Sequence, residues 1–204
     1  TEAPRYSKSG EEECVQNPKD YYIKLLGKKK LGKIVRIKRI ISHPEFNFSK
    51  VINDIALLEL KEPLKCSKMT SPICLPTSED LYENGQKLFI AGWGYYNLRK
   101  KPDRSNTILK EGVMKQVSSK KCMKPEVPKD TVRQYHCAVG TNHSACQGDS
   151  GTSTFIKYKK RFYTLGVVSH GTAKHCIPTY PTTFSKTLYF LDWIKEHVKD
   201  LPKP

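Results

Sequence analysis

The sequence lacks any apolar run that approaches the roughly 20 residues needed to cross a membrane, so we expect no membrane span. It also lacks a Cys-x-x-Cys pair, which argues against a zinc ribbon and a thioredoxin-like site. No internal repeat, low-complexity tract or signal peptide is present, although the chain begins at Thr1 and a leader could have been removed. We therefore predict a globular domain that needs no metal and no other cofactor.

Acidic residues are scarce: 20 Asp and Glu stand against 36 Lys and Arg, and the net charge is +16. The segment from Tyr21 to Pro44 contains no acid. Its cationic residues, which we call the basic face, are Lys24, Lys28, Lys29, Lys30, Lys33, Arg36, Lys38 and Arg39. Such a face could bind heparin-like glycans or an acidic protein, or it could be a solvated strand edge whose lysines discourage pairing with other chains. Nucleic-acid binding is disfavoured, because no recognition helix or stacking aromatic motif accompanies the charge.

The seven cysteines are an odd number with wide, irregular spacing. In a loop-rich chain this spacing favours disulfides and therefore a secreted protein. Two N-glycosylation sequons, which start at Asn47 and Asn142, agree with secretion. The odd count implies either a free thiol or a cysteine whose partner is missing.

Short apolar runs separated by turn residues dominate the chain and predict antiparallel β-structure. The predicted strands are residues 22–25, 34–37, 55–60, 87–92, 153–158, 162–168 and 182–185. One amphipathic helix is predicted at the C-terminus, capped by Thr187 and followed by Pro202. Its apolar face consists of Leu191, Ile194, Val198 and Leu201.

The strongest chemical signal is the sequence ACQGDSG at residues 145–151. A serine flanked by glycines can lie on a tight turn whose backbone N–H groups point at one spot. That spot can hold the oxyanion that forms when Ser150 attacks a carbonyl group. Asp149, just before the serine, can accept a buried positive charge that fixes the turn.

Five further segments, in order, accompany this turn: NDIALL at 53–58, PICLP at 72–76, AGWG at 91–94, GVVSHG at 166–171 and DWI at 192–194. Together they resemble the chymotrypsin/trypsin family of serine proteases, from about Cys14 to the C-terminus. The resemblance implies an all-β fold, a double antiparallel β-barrel with an incomplete first barrel and a C-terminal α-helix. It divides the chain into residues 1–76, a partial barrel with its linker, and residues 77–204, the second barrel with the helix.

The resemblance also implies residue roles. Ser150 would be the nucleophile, with the N–H groups of Gly148 and Ser150 as the oxyanion hole. Asp54 would be the carboxylate that orients a catalytic imidazole, and Ser169 would hydrogen-bond near it. Asp149 would pair with an N-terminal amine made by zymogen cleavage. The partners of such a protein would be peptide substrates or protein inhibitors.

The resemblance pairs Cys122 with Cys137 and Cys146 with Cys176. In many members of the family the position of Cys74 bonds a propeptide cysteine, whereas here we expect a local Cys66–Cys74 bridge. A further family disulfide would join positions 88 and 156, which here are Leu88 and Ile156. Both cysteines are replaced together by apolar residues, as packing would require, because one alone would leave a buried orphan thiol.

The catalytic histidine of the family is missing, because Glu13 occupies the position just before Cys14 where it is expected. A carboxylate is a far weaker base than an imidazole, and it would repel Asp54. The activated N-terminus of the family is missing too, and Cys14 would lose its partner with it. Of the six histidines, His43 is expected to be exposed and structural, and His170 to lie on the cleft wall, on the wrong side to deprotonate Ser150.

The predicted specificity pocket has Ser144 at its base, six residues before the nucleophile, and is narrowed by Thr182. Together with His170 and Gly171 as walls, it favours small or medium apolar side chains over Lys or Arg. Thr152, in place of a glycine, is a further departure from the family. Two hypotheses stay open: a secreted serine endopeptidase domain that is inactive in this form, or a non-catalytic homologue that binds a partner through its cleft or its basic face.

Overall fold

The structure is a computed structural model that describes residues 17–27, 31–68, 70–95, 108–123, 128–171 and 176–201. Several residues named above lie outside the described residues: Glu13, Cys14, Lys28, Lys29, Lys30 and Pro202. So does His175, one of the six histidines. The chain forms two compact units. The first contains the described residues up to Ser42 and Ala56–Thr70, and the second contains His43–Ile55 and the described residues from Ser71 onward.

The first unit is a three-stranded antiparallel sheet in the order β1-β2-β3. Its strands are β1 (Tyr22–Leu26), β2 (Leu31–Ser42) and β3 (Ala56–Leu60), and a short 3₁₀ turn at Pro18–Asp20 precedes them. Side chains alternate between the faces of a strand, so Val35 and Ile37 are buried whereas Ile34 and Arg36 are exposed.

The second unit is a closed six-stranded barrel in the order β4-β5-β6-β9-β8-β7, and all of its pairings are antiparallel. The strands are β4 (Lys87–Gly92), β5 (Lys110–Val117), β6 (Tyr135–Gly140), β7 (Ser153–Tyr158), β8 (Arg161–His170) and β9 (Thr182–Lys186). A 3₁₀ helix at Glu79–Tyr82 precedes β4, and two more, at Ser119–Cys122 and Lys129–Gln134, lie between β5 and β6. Phe184, Leu88 and Leu165 are fully buried in its core. The all-β prediction is confirmed.

The C-terminal helix, α1 (Leu191–His197), is shorter than the sequence pattern predicts. Leu191 and Ile194 are buried as expected, but the helix ends before Val198. Thr187 is not its N-cap, since the Thr187 hydroxyl donates to the Thr164 carbonyl oxygen at 2.7 Å. In the described part of the chain, no helix has the length and apolarity that a membrane span requires.

Both disulfides of the C-terminal half are present, Cys122–Cys137 and Cys146–Cys176. The expected Cys66–Cys74 bridge is wrong, because both residues are free thiols in the described structure. Cys74 is buried in the core of the second unit, where its N–H donates to the Phe162 carbonyl at 2.9 Å and its carbonyl accepts from the Thr164 N–H at 3.0 Å. Cys66 is exposed and belongs to the first unit.

Leu88 and Ile156 occupy facing positions on adjacent strands. The β4–β7 ladder pairs Phe89 with Phe155 and Ile90 with Thr154, so the same register places Leu88 opposite Ile156. Both side chains are buried, at 0% and 3% exposure, in one core cluster. Packing therefore replaces a covalent link at this point of the barrel.

Restoring the link is a test of that register. We expect the double variant Leu88→Cys/Ile156→Cys to form a disulfide and to gain about 2 kcal/mol of stability, because the bridge restricts the unfolded chain. Intact mass under non-reducing conditions and urea unfolding measure the two effects. The single variant Leu88→Cys is the control and is expected to be less stable than the parent, because it only creates a cavity. A double variant that remains reduced under air would contradict the register.

Candidate active site

Ser150 lies on a tight turn between β6 and β7. The Asp149 N–H donates to the Cys146 carbonyl at 3.0 Å, and the Thr152 N–H donates to the Asp149 carbonyl at 3.0 Å. Gly148 and Gly151 have φ values of +91° and +83°, which a side chain rarely adopts. The two glycines thus permit a turn that leaves Ser150 exposed to solvent.

The Asp149 carboxylate ties this turn to the end of β4. It is buried and accepts the Gly94 N–H at 2.8 Å on Oδ1 and the Cys146 N–H at 3.0 Å on Oδ2. A Cβ on Gly94 would lie well inside 3.0 Å of the carboxylate. These backbone N–H groups, both from the described residues, occupy the carboxylate in this structure, and its pairing with a terminal amine stays a prediction.

The proposed oxyanion donors flank Asp149 in the turn. Within the described residues, neither the Gly148 N–H nor the Ser150 N–H donates to a backbone carbonyl. An oxyanion hole requires donors that are not committed elsewhere. The role of Gly148 and Ser150 as this pair therefore stays a prediction, compatible with the geometry of the turn.

Asp54 is held by the barrel. The Ser169 hydroxyl donates to Asp54 Oδ2 at 2.6 Å, as the resemblance implies, and the Ser185 hydroxyl donates to the Asp54 backbone oxygen at 2.6 Å. The neighbouring Asn53 adopts φ +54° and is buried, and its N–H donates to Gln134 Oε1 at 2.9 Å. One of these three hydrogen bonds holds the Asp54 carboxylate itself, and the other two hold the backbone of Asp54 and of Asn53.

Tyr135 shares the environment of Asp54. Burial raises the pKa of Tyr135 to about 12, and the negative charge of Asp54 acts in the same direction. Its hydroxyl donates to the Val51 carbonyl, which fastens the loop before Asp54 to β6. Tyr135, Gln134 and Ser185 were not predicted as site residues, because no local motif distinguishes them from ordinary strand and turn residues.

His170 is connected to Asp54 through a hydroxyl group. Its Nδ1 lies 3.1 Å from Ser169 Oγ, whose proton is directed at Asp54, and its ring meets the Tyr135 ring edge-on at 6.0 Å. A nitrogen that faces the Ser169 oxygen must donate, so Nδ1 carries the proton in this arrangement. The described histidines thus include one that approaches the carboxylate, but indirectly.

The other described histidines lie elsewhere. His43 is half-buried against the Phe190 and Trp193 rings, at 5.6 and 5.2 Å, and is not exposed as expected. Partial burial lowers the pKa of His43, Glu45 opposes this effect and His197 adds to it. His136 is fully buried inside the barrel. Among the described residues, no imidazole hydrogen-bonds directly to Asp54 or Ser150.

A cavity of about 230 Å³ opens beside the serine. It is lined by Ser150 together with the five residues predicted to form the substrate pocket, namely Ser144, Ser169, His170, Gly171 and Thr182. The Cys146–Cys176 disulfide forms part of the wall. The residues named from the sequence are thus neighbours in space, and their roles toward a substrate stay predictions.

The barrel, the serine turn and the Asp54–Ser169 hydrogen bond define a class of protein. The chain matches the family model for Trypsin over residues 12–194, and it belongs to that family. One closed barrel, a second, three-stranded sheet and a C-terminal helix are consistent with the double β-barrel fold of a trypsin-like serine protease.

Curated relatives narrow the comparison. The chain is 34% identical over 170 residues to vitamin K-dependent protein C of Mus musculus. The aligned region covers 79% of this chain and 36% of the mouse protein. The chain is 32% identical over 170 residues to the protein of the same name from Rattus norvegicus, with the same coverage, and 28% identical over 199 residues to that of Oryctolagus cuniculus, with 92% and 43% coverage. The chain therefore spans less than half the length of these relatives.

Proposed function

We propose that this chain is the peptidase domain of a secreted serine endopeptidase and that, in this form, it does not hydrolyse peptide bonds. The observation that carries the proposal is the cavity that joins Ser150 to Ser169, with Asp54 hydrogen-bonded behind it. In the family reaction, the serine oxygen bonds to the scissile carbonyl carbon. The amine leaves with a proton, and water then hydrolyses the ester.

Among the described residues, no imidazole hydrogen-bonds to the Ser150 hydroxyl and could accept its proton in this reaction. His170 is the described imidazole nearest to the chain of hydrogen bonds, but its protonated Nδ1 faces Ser169 and not Ser150. Asp54 is itself occupied by the Ser169 hydroxyl. Without a general base the serine remains a weak nucleophile, which supports the proposed inactivity.

The substrate preference that we propose is a small or medium apolar side chain. Ser144 and Thr182 line the cavity, and no carboxylate is among its lining residues in the described chain. A pocket without a buried carboxylate offers no partner to a Lys or Arg side chain, whose burial unpaired is costly. Secretion is supported by the two disulfides, which persist in oxidising compartments.

A fluorophosphonate reagent tests the proposal, because it phosphonylates only serines that are activated as nucleophiles. We expect Ser150 to be unlabelled after an incubation that saturates active trypsin, with modification at least about 10³-fold slower, because general-base assistance contributes 10²–10⁴-fold. Mass spectrometry of the tryptic peptides locates any label. The variant Ser150→Ala sets the background. Labelling at Ser150 that this variant abolishes would contradict the proposed inactivity while supporting the peptidase assignment.

A second function, binding without catalysis, is favoured by the charge of the first unit. Lys38 and Arg39 share a single carboxylate, Glu59, at 2.6 and 2.8 Å. Lys24 and Arg36 form no salt bridge within the described residues. An uncompensated basic face attracts polyanions. We propose it as the docking surface for an anionic glycan or an acidic protein, independent of Ser150.

A further inference from the structure

The outer face of the first sheet combines positive charge with apolar surface. β1 and β2 pair Tyr22 with Arg36 and Lys24 with Ile34, so these four side chains share one face. Tyr22 and Ile34 are 49% and 48% exposed. The Lys24 ammonium lies 5.6 Å, and the Arg36 guanidinium 6.0 Å, from the centre of the Tyr22 ring. Both cations are therefore held next to an exposed aromatic surface.

A cavity of about 320 Å³ opens on this unit. One wall is the β2 segment that contains Lys33, Ile34 and Arg36, and the other is the segment from Lys61 to Leu64 that follows β3. The Lys61 N–H donates to the Arg36 carbonyl at 2.9 Å, which holds the two walls together. The cavity is thus built from ordered backbone and not from side chains alone.

The charge of the cavity is largely uncompensated. Its lining contains three cations, Lys33, Arg36 and Lys61, against one carboxylate, Glu62. Within the described chain, none of these cations forms a salt bridge. Glu59, the other acid of this sheet, is already committed: hydrogen bonds from Lys38 and then Arg39 lower its pKa. A ligand with several carboxylates would complement this surface.

The apolar side chains in the walls of the cavity favour an acidic peptide over an anionic glycan as the ligand. Ile34 and Leu64 line the cavity and are 48% and 37% exposed. A sulfated glycan would satisfy the cations but would leave these side chains in water, whereas apolar side chains of a peptide would remove them from it. We infer that the cavity, which we call the β2–Leu64 groove, binds an acidic peptide segment that carries apolar side chains. This inference rests on the second function proposed above.

Fluorescence anisotropy tests the inference with three fluorescein-labelled ligands at one ionic strength. They are a peptide of repeating Glu-Glu-Leu, a peptide of equal length with Ser in place of Leu, and a heparin octasaccharide. We expect the Leu peptide to bind at least about tenfold more tightly than the Ser peptide, which corresponds to about 1.4 kcal/mol. The substitutions Arg36→Gln and Lys61→Gln are each expected to weaken it by about tenfold, as for a charge that pairs with the ligand.

Two controls separate the groove from general electrostatics. Lys115→Gln removes an equal charge from an exposed position on β5 that does not line the groove. It is expected to leave the affinity within about twofold, because an exposed charge that does not contact the ligand is screened by salt. Ile34→Ser should abolish the preference for Leu over Ser while the charge stays the same. Equal affinity for the two peptides overturns the inference.

The measurement with the heparin octasaccharide distinguishes this inference from the broader proposal that the basic face is a docking surface for polyanions. Tighter binding of the octasaccharide than of the Leu peptide, lost in Arg36→Gln, would overturn the groove assignment but support the basic face as a docking surface. Binding of none of the three ligands would overturn both. Neither result bears on Ser150, since the fluorophosphonate measurement is independent.

Discussion

Lowering the pH from 7 to 4 is expected to destabilise the six-stranded barrel by about 3 kcal/mol through one side chain, His136. The imidazole is fully buried between Gln116 Oε1, 2.9 Å from Nδ1, and Thr154 Oγ1, 3.1 Å from Nε2. It stacks on Phe184 at 4.8 Å. Burial lowers the pKa of His136 to about 3, and the positive charge of Lys186 contributes in the same direction.

The sign follows from the two states of the chain. In the folded barrel His136 stays neutral until the pH approaches 3, whereas in the unfolded chain it takes up a proton near pH 6.5. Between these values only the unfolded chain binds the proton, so the free energy of unfolding falls by about 1.4 kcal/mol for each pH unit. This contribution to stability is fully present above pH 6.5 and is lost as the pH falls toward 3.

Urea unfolding followed by tryptophan fluorescence measures the effect in the barrel unit, because both tryptophans, Trp93 and Trp193, belong to it. Its matched control is His143→Gln, which removes an exposed histidine and leaves the surroundings of His136 unchanged, so the slope of the parent between pH 6.5 and 4 should be retained. His136→Leu should be less stable at pH 7, because Gln116 and Thr154 lose a partner, but its slope should be shallower. A parent and a His136→Leu protein with equal slopes would refute the assignment.

Substituting Gly94 by alanine is expected to cost at least about 3 kcal/mol, because the new Cβ displaces the Asp149 carboxylate and both of its hydrogen bonds to buried N–H groups. The Cβ would lie within 3.0 Å of three atoms of that side chain. Asp149 cannot retreat, since Oδ2 is tied to the Cys146 N–H in the same turn. The turn that carries Ser150 should therefore lose its order together with the stability.

The same urea experiment tests this substitution, with Gly171→Ala as the control. At Gly171 the nearest described atoms to a new Cβ are those of Thr182, at 3.8 Å and beyond, so this variant should lie within about 0.5 kcal/mol of the parent. A loss below about 1 kcal/mol for Gly94→Ala would mean that the turn can rearrange around the methyl group.

Most of the fold is readable from local pattern, and the exceptions have physical causes. The predicted strands at 87–92 and 153–158 match β4 and β7 residue for residue. β5 was missed because two of its inward positions are Gly112 and Gln116, so the apolar alternation that predicts a half-buried strand is absent. β6 was missed for a related reason: its buried residues include His136, whose polarity hides an interior position.

Site residues that lie in contiguous sequence motifs were predicted, whereas residues that join the site only through tertiary contacts were missed. Ser150, Asp54 and Ser169 lie in recognisable segments. In the structure Ser150 and Ser169 line one cavity, and Ser169 hydrogen-bonds to Asp54. Gln134, at the end of a 3₁₀ helix, binds Asn53, and Ser185, on β9, binds Asp54. Both lie far away in sequence, which no local pattern reveals. The prediction of a Cys66–Cys74 bridge was wrong for the same reason. The two cysteines are close in sequence, but Cys66 is exposed in the first unit and Cys74 is buried in the second.

The segment His43–Ile55 is flanked by β2 and β3 yet packs with the barrel unit, where Gln134, Ser169 and Ser185 bind it. The barrel unit consequently contains two stretches of chain that are not consecutive. Expression of residues 71–204 alone would omit residues 43–55, and Gln134, Ser169 and Ser185 would then lose the hydrogen bonds that they make to this segment. A soluble recombinant half-molecule should therefore carry residues 43–55 as a grafted insert or a supplied peptide.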